Sequence, residues 1–181
     1  YRKQLKAYIY NAIAADEEAI LIFNMYKNEP FGCTIRGKTK KKFNDVGNSG
    51  GIFYGLCDLD KDFKYGDRIT IVEGPKDCET YKRVFHDKNC LATMTANLTK
   101  TQIEVLKGLT NNIVLANDND KPGQDAQKTF LKYNSKDFKI NIIKHPDDMK
   151  DFGDLIHLIR NDKQKLKEVI NNYKVQMSLF V

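Results

Sequence analysis

The chain has 181 residues, of which 41% are hydrophobic and 30% carry a charge. This balance is typical of a globular protein with a real core and excludes an intrinsically disordered chain. No apolar run of about 18 residues is present, which argues against a membrane span, and the first residues lack the apolar segment of a secretory signal. The formal net charge of +6 is compatible with a polyanionic partner.

The cysteines and the start of the chain carry further information. The cysteines form no C-x-x-C pair, and no histidine lies at zinc-ligand spacing from two of them. We therefore expect reduced side chains in a cytoplasmic protein. The chain begins at Tyr1 rather than at a methionine, so we expect it to be excised from a longer protein.

Residues 1–67 predict a small α+β lobe. A helical pattern near residues 2–14 precedes two strand patterns, at 19–25 and 30–36. The next segment, RGKTKKKFNDVGNSGG, is basic and rich in glycine and asparagine, and it predicts a loop. Its cations are candidates for binding phosphate groups, although such charge runs are also common on ordinary solvated surfaces. They are Arg36, Lys38, Lys40, Lys41 and Lys42.

From residue 68 the pattern changes to short apolar strands that alternate with amphipathic helices. Strands are predicted at 69–72, 90–93, 112–116 and 138–144, and helices at 76–86, 99–108, 124–133, 154–160 and 163–173. Thr99 and Gln102 have the spacing of a capping box at the start of the second of these helices. This alternation predicts an α/β fold with a mostly parallel sheet covered by helices. We assign residues 68–160 to this domain and residues 161–181 to a C-terminal helix and tail.

Acidic residues follow three of the predicted strands. Ligands of open α/β sheets bind beyond the carboxyl ends of the strands, so we expect these side chains to converge on one place. The best-placed carboxylates are Glu73 and Asp77 in ITIVEGPKD, Asp118 and Asp120 in VLANDNDKPG, and Asp151 and Asp154 in HPDDMKDFGDL.

Such a cluster requires a compensating cation. Two like charges about 4 Å apart repel by roughly 4 kcal/mol at an effective dielectric of about 20. Carboxylate oxygens suit Mg²⁺ or Mn²⁺, and a pair of such ions serves phosphoryl and nucleotidyl transfer. The ordinary alternative for Asp118 and Asp120 is a turn followed by a helix N-cap, which the Pro-Gly pair after them also favours.

The order of these motifs resembles the Toprim domain, which DnaG-type primases share with topoisomerases and some nucleases. The matching segments are VEGPKD, DNDKPG and KDFGD. VEGPKD and NDNDKPGQDAQK are especially similar to primase-helicases of phages and mobile elements, so we expect a phage or plasmid origin. The resemblance implies a Rossmann-like fold with a mostly parallel four-stranded sheet flanked by helices, preceded by a smaller α+β lobe.

The first half of the chain also resembles primases. PFGCTIRGKTKKKFNDVGNSGGIFYGL is similar to the amino-terminal lobe of the primase catalytic core. This upstream similarity is what favours a primase over other Toprim proteins. The matching residues are Arg36 with Gly37 in reversed order, Lys42-Phe43, Asn48-Ser49 and Tyr54-Gly55-Leu56.

The resemblance assigns roles to individual residues. Glu73 would ligate metal or act as the general base that activates a ribose 3′-hydroxyl, and Asp118 and Asp120 would be catalytic metal ligands. Gly74 and Gly123 would let the backbone approach phosphate closely. The other metal ligands would be Asp77, Asp151 and Asp154. Template DNA or the triphosphate would be bound by Arg36, Lys38, Lys40, Lys41 and Lys42.

The function implied is that of a DNA primase catalytic core, which synthesises RNA primers on single-stranded DNA with two Mg²⁺ or Mn²⁺ ions. Its partners would be the template, NTPs and a replicative helicase or fused helicase domain, and no membrane. Two alternatives stay open: a Toprim nuclease that uses the same acidic cluster, and a non-catalytic nucleic-acid-binding module. The basic amino-terminal lobe argues against the first, and the complete set of acidic residues argues against the second.

Overall fold

The computed structural model describes the backbone of residues 19–26, 29–37 and 43–47, and residues 52–179 in full. The first three ranges form an antiparallel sheet of three strands in the order β1 (Ala19–Tyr26), β2 (Glu29–Gly37) and β3 (Phe43–Gly47). The prediction of a continuous loop after β2 was wrong, because β3 pairs with β2 there from Phe43 opposite Arg36 to Gly47 opposite Gly32. The predicted helix near residues 2–14 and Lys38, Lys40, Lys41 and Lys42 lie outside the described residues.

The second sheet has four strands, all of them parallel. Its strands are β4 (Ile69–Val72), β5 (Cys90–Ala92), β6 (Asn112–Leu115) and β7 (Lys139–Ile142). Their spatial order is β5-β4-β6-β7, which places β4 and β6 side by side at the centre. The predicted α/β class with a mostly parallel four-stranded sheet is therefore confirmed.

Helices connect and cover these strands. They are α1 (Pro75–Phe85), α2 (Lys100–Leu109), α3 (Lys121–Asn134), α4 (Leu155–Asn161) and α5 (Lys163–Ser178). The predicted capping box starts α2: the Gln102 N–H donates to the Thr99 hydroxyl, and the Thr99 N–H donates to the Gln102 side chain. No helix in the described ranges is long and apolar enough to cross a bilayer.

Strands β4, β5 and β6 are buried on both faces, which explains their nearly continuous apolar sequences, whereas β7 at the sheet edge is partly exposed. Side chains alternate between the faces along each strand. Ile71 and Leu115 pack on one side with α2 and α3, whereas Val72 and Val114 pack on the other with α1 and α5. The carboxyl edge of the sheet is left for the polar residues that follow the strands.

Two further elements join this domain. Tyr54 and Ala92 exchange two backbone hydrogen bonds, of 3.0 and 3.1 Å, so the segment before β4 continues the sheet beyond β5. On the sheet face that carries Val72 and Val114, α5 inserts Val169 and the fully buried Tyr173 into the core. The predicted domain boundaries after residues 67 and 160 stay a prediction. The helix α5, which was assigned to a separate C-terminal segment, packs directly on the parallel-sheet domain.

Candidate metal centre

The predicted acidic residues follow adjacent strands of the parallel sheet. Glu73 comes directly after β4, and Asp118 comes three residues after the neighbouring strand β6 ends at Leu115. Asp151 lies in the connection after β7, the next strand outward. Since parallel strands end at the same edge, these residues meet although they are far apart in sequence.

Three carboxylates form the centre of this site. Asp77, Asp118 and Asp151 each offer one oxygen, and these oxygens lie within 4.8 Å of one another. Asp77 belongs to the first turn of α1, Asp118 to the loop between β6 and α3, and Asp151 is the N-cap of a short 3₁₀ helix. Three separate βα connections therefore contribute to one cluster, which we call the carboxylate triad.

Glu73 lies beside the carboxylate triad. Its Oε1 accepts a hydrogen bond of 3.2 Å from the Asp118 N–H. Partial burial, followed by the Asp118 charge, raises the pKa of the Glu73 carboxyl to about 7. A glutamate with this pKa exchanges protons near neutral pH, as a general base has to do.

Asp77 is the most deeply buried member of the carboxylate triad. Its side chain is held by the Gly153 N–H, which donates to Oδ1 at 2.8 Å. Burial, and then the neighbouring Asp151 charge, raise the pKa of the Asp77 carboxyl to about 7. This hydrogen bond also fixes α1 to the loop that presents Asp151.

Asp118 and Asp120 have different environments although they are two residues apart. Asp118 is partly buried in the cluster, and burial raises its pKa despite the nearby Lys150 ammonium. Asp120 is the N-cap of α3 and accepts the Gly123 N–H at 3.0 Å. That hydrogen bond, together with Lys150, lowers the pKa of Asp120. The ordinary interpretation as a helix cap thus applies to Asp120, which still faces the site.

Lys150 connects the two aspartates, and sequence reasoning assigned it no role. Its Nζ lies 2.9 Å from Asp118 Oδ2 and 3.0 Å from Asp120 Oδ2. Its backbone is held as well: its N–H donates to Asp154 Oδ2 at 2.8 Å, and its carbonyl accepts the Asn119 N–H at 2.7 Å. The signal that could have identified Lys150 is its place directly before Asp151 in KDFGD. A lysine next to a residue of an acidic cluster is expected to pair with a carboxylate of that cluster.

An aromatic cluster anchors the loop that presents Asp151. Phe152 is fully buried, with ring centroids 5.3 Å from Tyr81, 4.9 Å from His145 and 5.1 Å from Tyr173. The Tyr173 hydroxyl and His145 Nδ1 form a hydrogen bond of 2.7 Å. The buried Phe152 therefore fixes the position of its neighbour Asp151. Because Tyr173 belongs to α5, this position also depends on α5.

The glycines of the motifs are close to the carboxylates. A Cβ on Gly123 would lie 2.3 Å from the Asp118 carbonyl oxygen and 2.8 Å from Glu73 Oε1. A Cβ on Gly74 would lie 2.9 Å from Asp77 Oδ2. Gly123 in particular is required by the close packing of α3 against the Asp118 loop.

Other predicted residues lie further from the carboxylate triad or outside the described side chains. The Asp154 carboxylate accepts the Lys150 N–H of its own loop, and no oxygen of Asp154 belongs to the triad. Arg36 lies on β2, where only the backbone is described. The roles predicted for these residues and for the basic loop stay predictions.

The donor set fits a hard divalent cation. Carboxylate oxygens are the ligands that Mg²⁺ and Mn²⁺ prefer, and these ions are usually held by one or two carboxylates together with water and substrate phosphates. The carboxylate triad supplies three such oxygens. Burial is the main cause of the raised pKa values of Glu73 and Asp77, and repulsion from Asp118 and Asp151 adds to it. A bound cation would relieve this repulsion.

Comparison with known proteins agrees with this geometry. Residues 70–156 match the family model described as Toprim-like. The fold of these residues is Toprim-like. The matched range contains the carboxylate triad, together with Glu73, Asp120 and Lys150.

The relatives are DNA primases. A DNA primase of Clostridium acetobutylicum is 30% identical over 148 residues, which is 78% of this chain and 24% of that protein. The DnaG catalytic core superposes with a TM-score of 0.69 at 22% identity, over 90% of this chain and 53% of that one. A DnaG primase catalytic domain bound to single-stranded DNA gives 0.68 at 21% identity, over 90% and 51%.

The predicted resemblance to the Toprim domain of DnaG-type primases is confirmed by these matches. This chain spans about a quarter of the curated relative and about half of each solved chain. The structural similarity establishes the fold, and the curated relative connects that fold with a DNA primase. An origin in a phage or plasmid stays a prediction.

Proposed function

We propose that this chain is the catalytic core of a DNA primase, which joins ribonucleotides on a single-stranded DNA template. The observation on which this rests is the convergence of Asp77, Asp118 and Asp151 within 4.8 Å in a Toprim-like domain. The similarity to a curated DNA primase favours primer synthesis over the other chemistries of Toprim proteins. The attacking group would be a primer 3′-hydroxyl, and pyrophosphate would leave.

The carboxylate triad would hold the divalent ions. Two Mg²⁺ or Mn²⁺ ions bound there would stabilise the attacking and leaving oxygens. Asp77 and Asp151 are positioned for this task by the Gly153 N–H and by the buried Phe152, so their carboxylates need little reorganisation. Asp120 would support Asp118 from the N-cap of α3, through the Lys150 ammonium that both contact.

Glu73 is our candidate for accepting the proton of the 3′-hydroxyl. In the protein without metal its pKa is raised to about 7, and divalent ions bound at the triad would lower it and favour the ionised form that accepts a proton. The Asp118 N–H holds one of its oxygens at 3.2 Å, which orients the carboxylate toward the triad.

The basic segment of the amino-terminal lobe would contact phosphate groups. Arg36, Lys38, Lys40, Lys41 and Lys42 supply positive charge that could bind the template strand or the triphosphate of the incoming nucleotide. Affinity for single-stranded DNA should then fall steeply as salt rises.

A primer-extension assay tests the proposal. The parent chain, Asp118→Ala and Asp125→Ala are incubated with labelled NTPs, Mn²⁺ or Mg²⁺, and a template with an annealed primer. Asp125 is the matched control, because it is an exposed aspartate on α3 that pairs with Lys121 at 2.9 Å. We expect metal-dependent extension that falls at least about 100-fold in Asp118→Ala, as for loss of a main electrostatic contact in catalysis, and is unchanged in Asp125→Ala.

Other outcomes would point elsewhere. Metal-dependent cleavage of the DNA without extension, lost in Asp118→Ala, would replace the primase proposal with a nuclease. Salt-sensitive DNA binding with neither activity, unchanged in Asp118→Ala, would indicate a binding module.

A further inference from the structure

The Lys150 ammonium lies where two acidic side chains of the candidate metal centre meet. It is 2.9 Å from Asp118 Oδ2 and 3.0 Å from Asp120 Oδ2, so it bridges the two aspartates of the second motif. Among the described residues, no other lysine or arginine forms an ion pair with these carboxylates or with Asp77 and Asp151. Asp118 also supplies an oxygen to the carboxylate triad, so the ammonium contacts a side chain that a divalent cation at the triad would need as a ligand.

The rest of Lys150 is held independently of this ion pair. Its N–H is bound by Asp154 and its carbonyl by the Asn119 N–H, so the loop keeps its path without the ammonium contacts. The side chain is 53% exposed and has open solvent on one side. The ammonium can therefore leave the aspartates by rotation of its own side chain.

We infer that Lys150 competes with a divalent cation for Asp118, the aspartate that it shares with the carboxylate triad, and that metal binding at the triad displaces its ammonium. The inference rests on the metal-binding part of the proposed function. In the protein without metal, Lys150 stabilises the acidic cluster. When the ion binds, the ammonium is released, because the two cations repel each other at contact distance from the same carboxylate. Lys150 thus sets the ion concentration at which the site fills.

Direct competition between Lys150 and the metal ion must be distinguished from a general effect of positive charge on metal affinity. Lys76 provides a control for this distinction. Lys76 lies on α1 near the same cluster, because its ammonium and the Asp151 carboxylate both lie close to Gly153. A Cβ on Gly153 would be 2.6 Å from Lys76 Nζ and 2.8 Å from Asp151 Oδ1. Yet within the described residues Lys76 forms no ion pair with a carboxylate of the cluster. Lys150→Met and Lys76→Met remove the same charge from the same neighbourhood, but only the first removes a competitor.

The test is a Mn²⁺ titration of the full 181-residue chain, in which electron paramagnetic resonance measures the free ion. We expect Lys150→Met to bind Mn²⁺ about tenfold more tightly than the parent, and Lys76→Met to change the affinity by no more than about twofold. In EDTA we expect Lys150→Met to melt at a lower temperature than the parent, and added Mn²⁺ to raise its melting temperature by more than that of the parent.

Several results would overturn the inference. Affinity for Mn²⁺ that is unchanged or weaker in Lys150→Met would show that the lysine does not compete with the ion. Equal tightening in Lys76→Met would reduce the effect to general electrostatics. A parent chain that binds no Mn²⁺ would overturn both this inference and the metal-binding part of the proposed function, whereas binding by the parent with no effect of Lys150→Met would overturn the inference alone.

Discussion

Gly123→Ala tests whether α3 and the Asp118 loop are packed as closely as the structure shows. In an ordinary helix, replacing glycine by alanine stabilises the protein by about 0.5 to 1 kcal/mol. At Gly123 the new Cβ would meet the Asp118 carbonyl oxygen at 2.3 Å and Glu73 Oε1 at 2.8 Å. The first contact is with backbone, so the start of α3 or the Asp118 loop has to shift.

The expected change in the free energy of unfolding follows from comparing the cost of overpacking with the gain in helix propensity. Overpacking of a rigid site costs about 1 to 3 kcal/mol, which exceeds the gain in helix propensity. We therefore expect Gly123→Ala to lower the free energy of unfolding by about 1 to 2 kcal/mol. Because Asp118 and Glu73 both move, the affinity for Mn²⁺ should fall as well.

Gly108→Ala is the matched control. Gly108 lies in the last turn of α2, and a Cβ there would meet no atom within 4 Å. Urea unfolding of both variants in EDTA should give changes of opposite sign, with Gly108→Ala stabilised and its Mn²⁺ affinity unchanged. If Gly123→Ala were stabilised as much as Gly108→Ala, the close approach of α3 to Asp118 would be refuted.

Two further predictions concern the buried carboxyls. The folded protein raises the pKa of Glu73 from 4.5 to about 7, so it binds a proton that the unfolded chain has already lost, and this contribution to stability disappears as pH rises through that window. We expect Glu73→Gln to flatten the decline of urea stability between pH 5 and 7 in EDTA; a parallel curve for the variant would contradict the assignment. For Asp77→Asn, the amide oxygen can still accept the Gly153 N–H while the repulsion is removed. This variant should melt at a higher temperature than the parent in EDTA at pH 8 and gain less from Mn²⁺; a full metal-induced shift would exclude Asp77 as a ligand.

The strands that could be predicted most directly from the sequence are those buried on both faces of the sheet. Strands β4, β5 and β6 are buried on both faces, so their apolar runs are distinct from the amphipathic helices between them. The strand Phe43–Gly47 was missed for the opposite reason. Its sequence, FNDVG, has no strict alternation and follows a run of lysines, and it pairs only with β2 at the edge of its sheet.

The convergence of acidic residues could also be predicted, because the carboxyl ends of parallel strands share one edge. What each carboxylate does there could not. Asp118 and Asp120 are equivalent in the motif, but the start of α3 makes Asp120 the N-cap and leaves Asp118 to the cluster. Which of two nearby aspartates becomes a cap depends on where the helix begins, and the sequence pattern placed that start at residue 124 instead of Lys121.

The environment of the acidic cluster shows why it can persist in a folded chain. Each carboxylate of the triad has a specific donor: the Gly153 N–H for Asp77, Lys150 for Asp118, and the Asp154 N–H for Asp151. These donors come from one short loop, Lys150 to Asp154, which packing of Phe152 holds against α1 and α5. Because that loop carries Asp151, two backbone donors and the Lys150 ammonium, an ion bound at the carboxylate triad would couple metal binding to the folding of this loop. A change at Phe152 should therefore alter metal affinity through the position of Asp151.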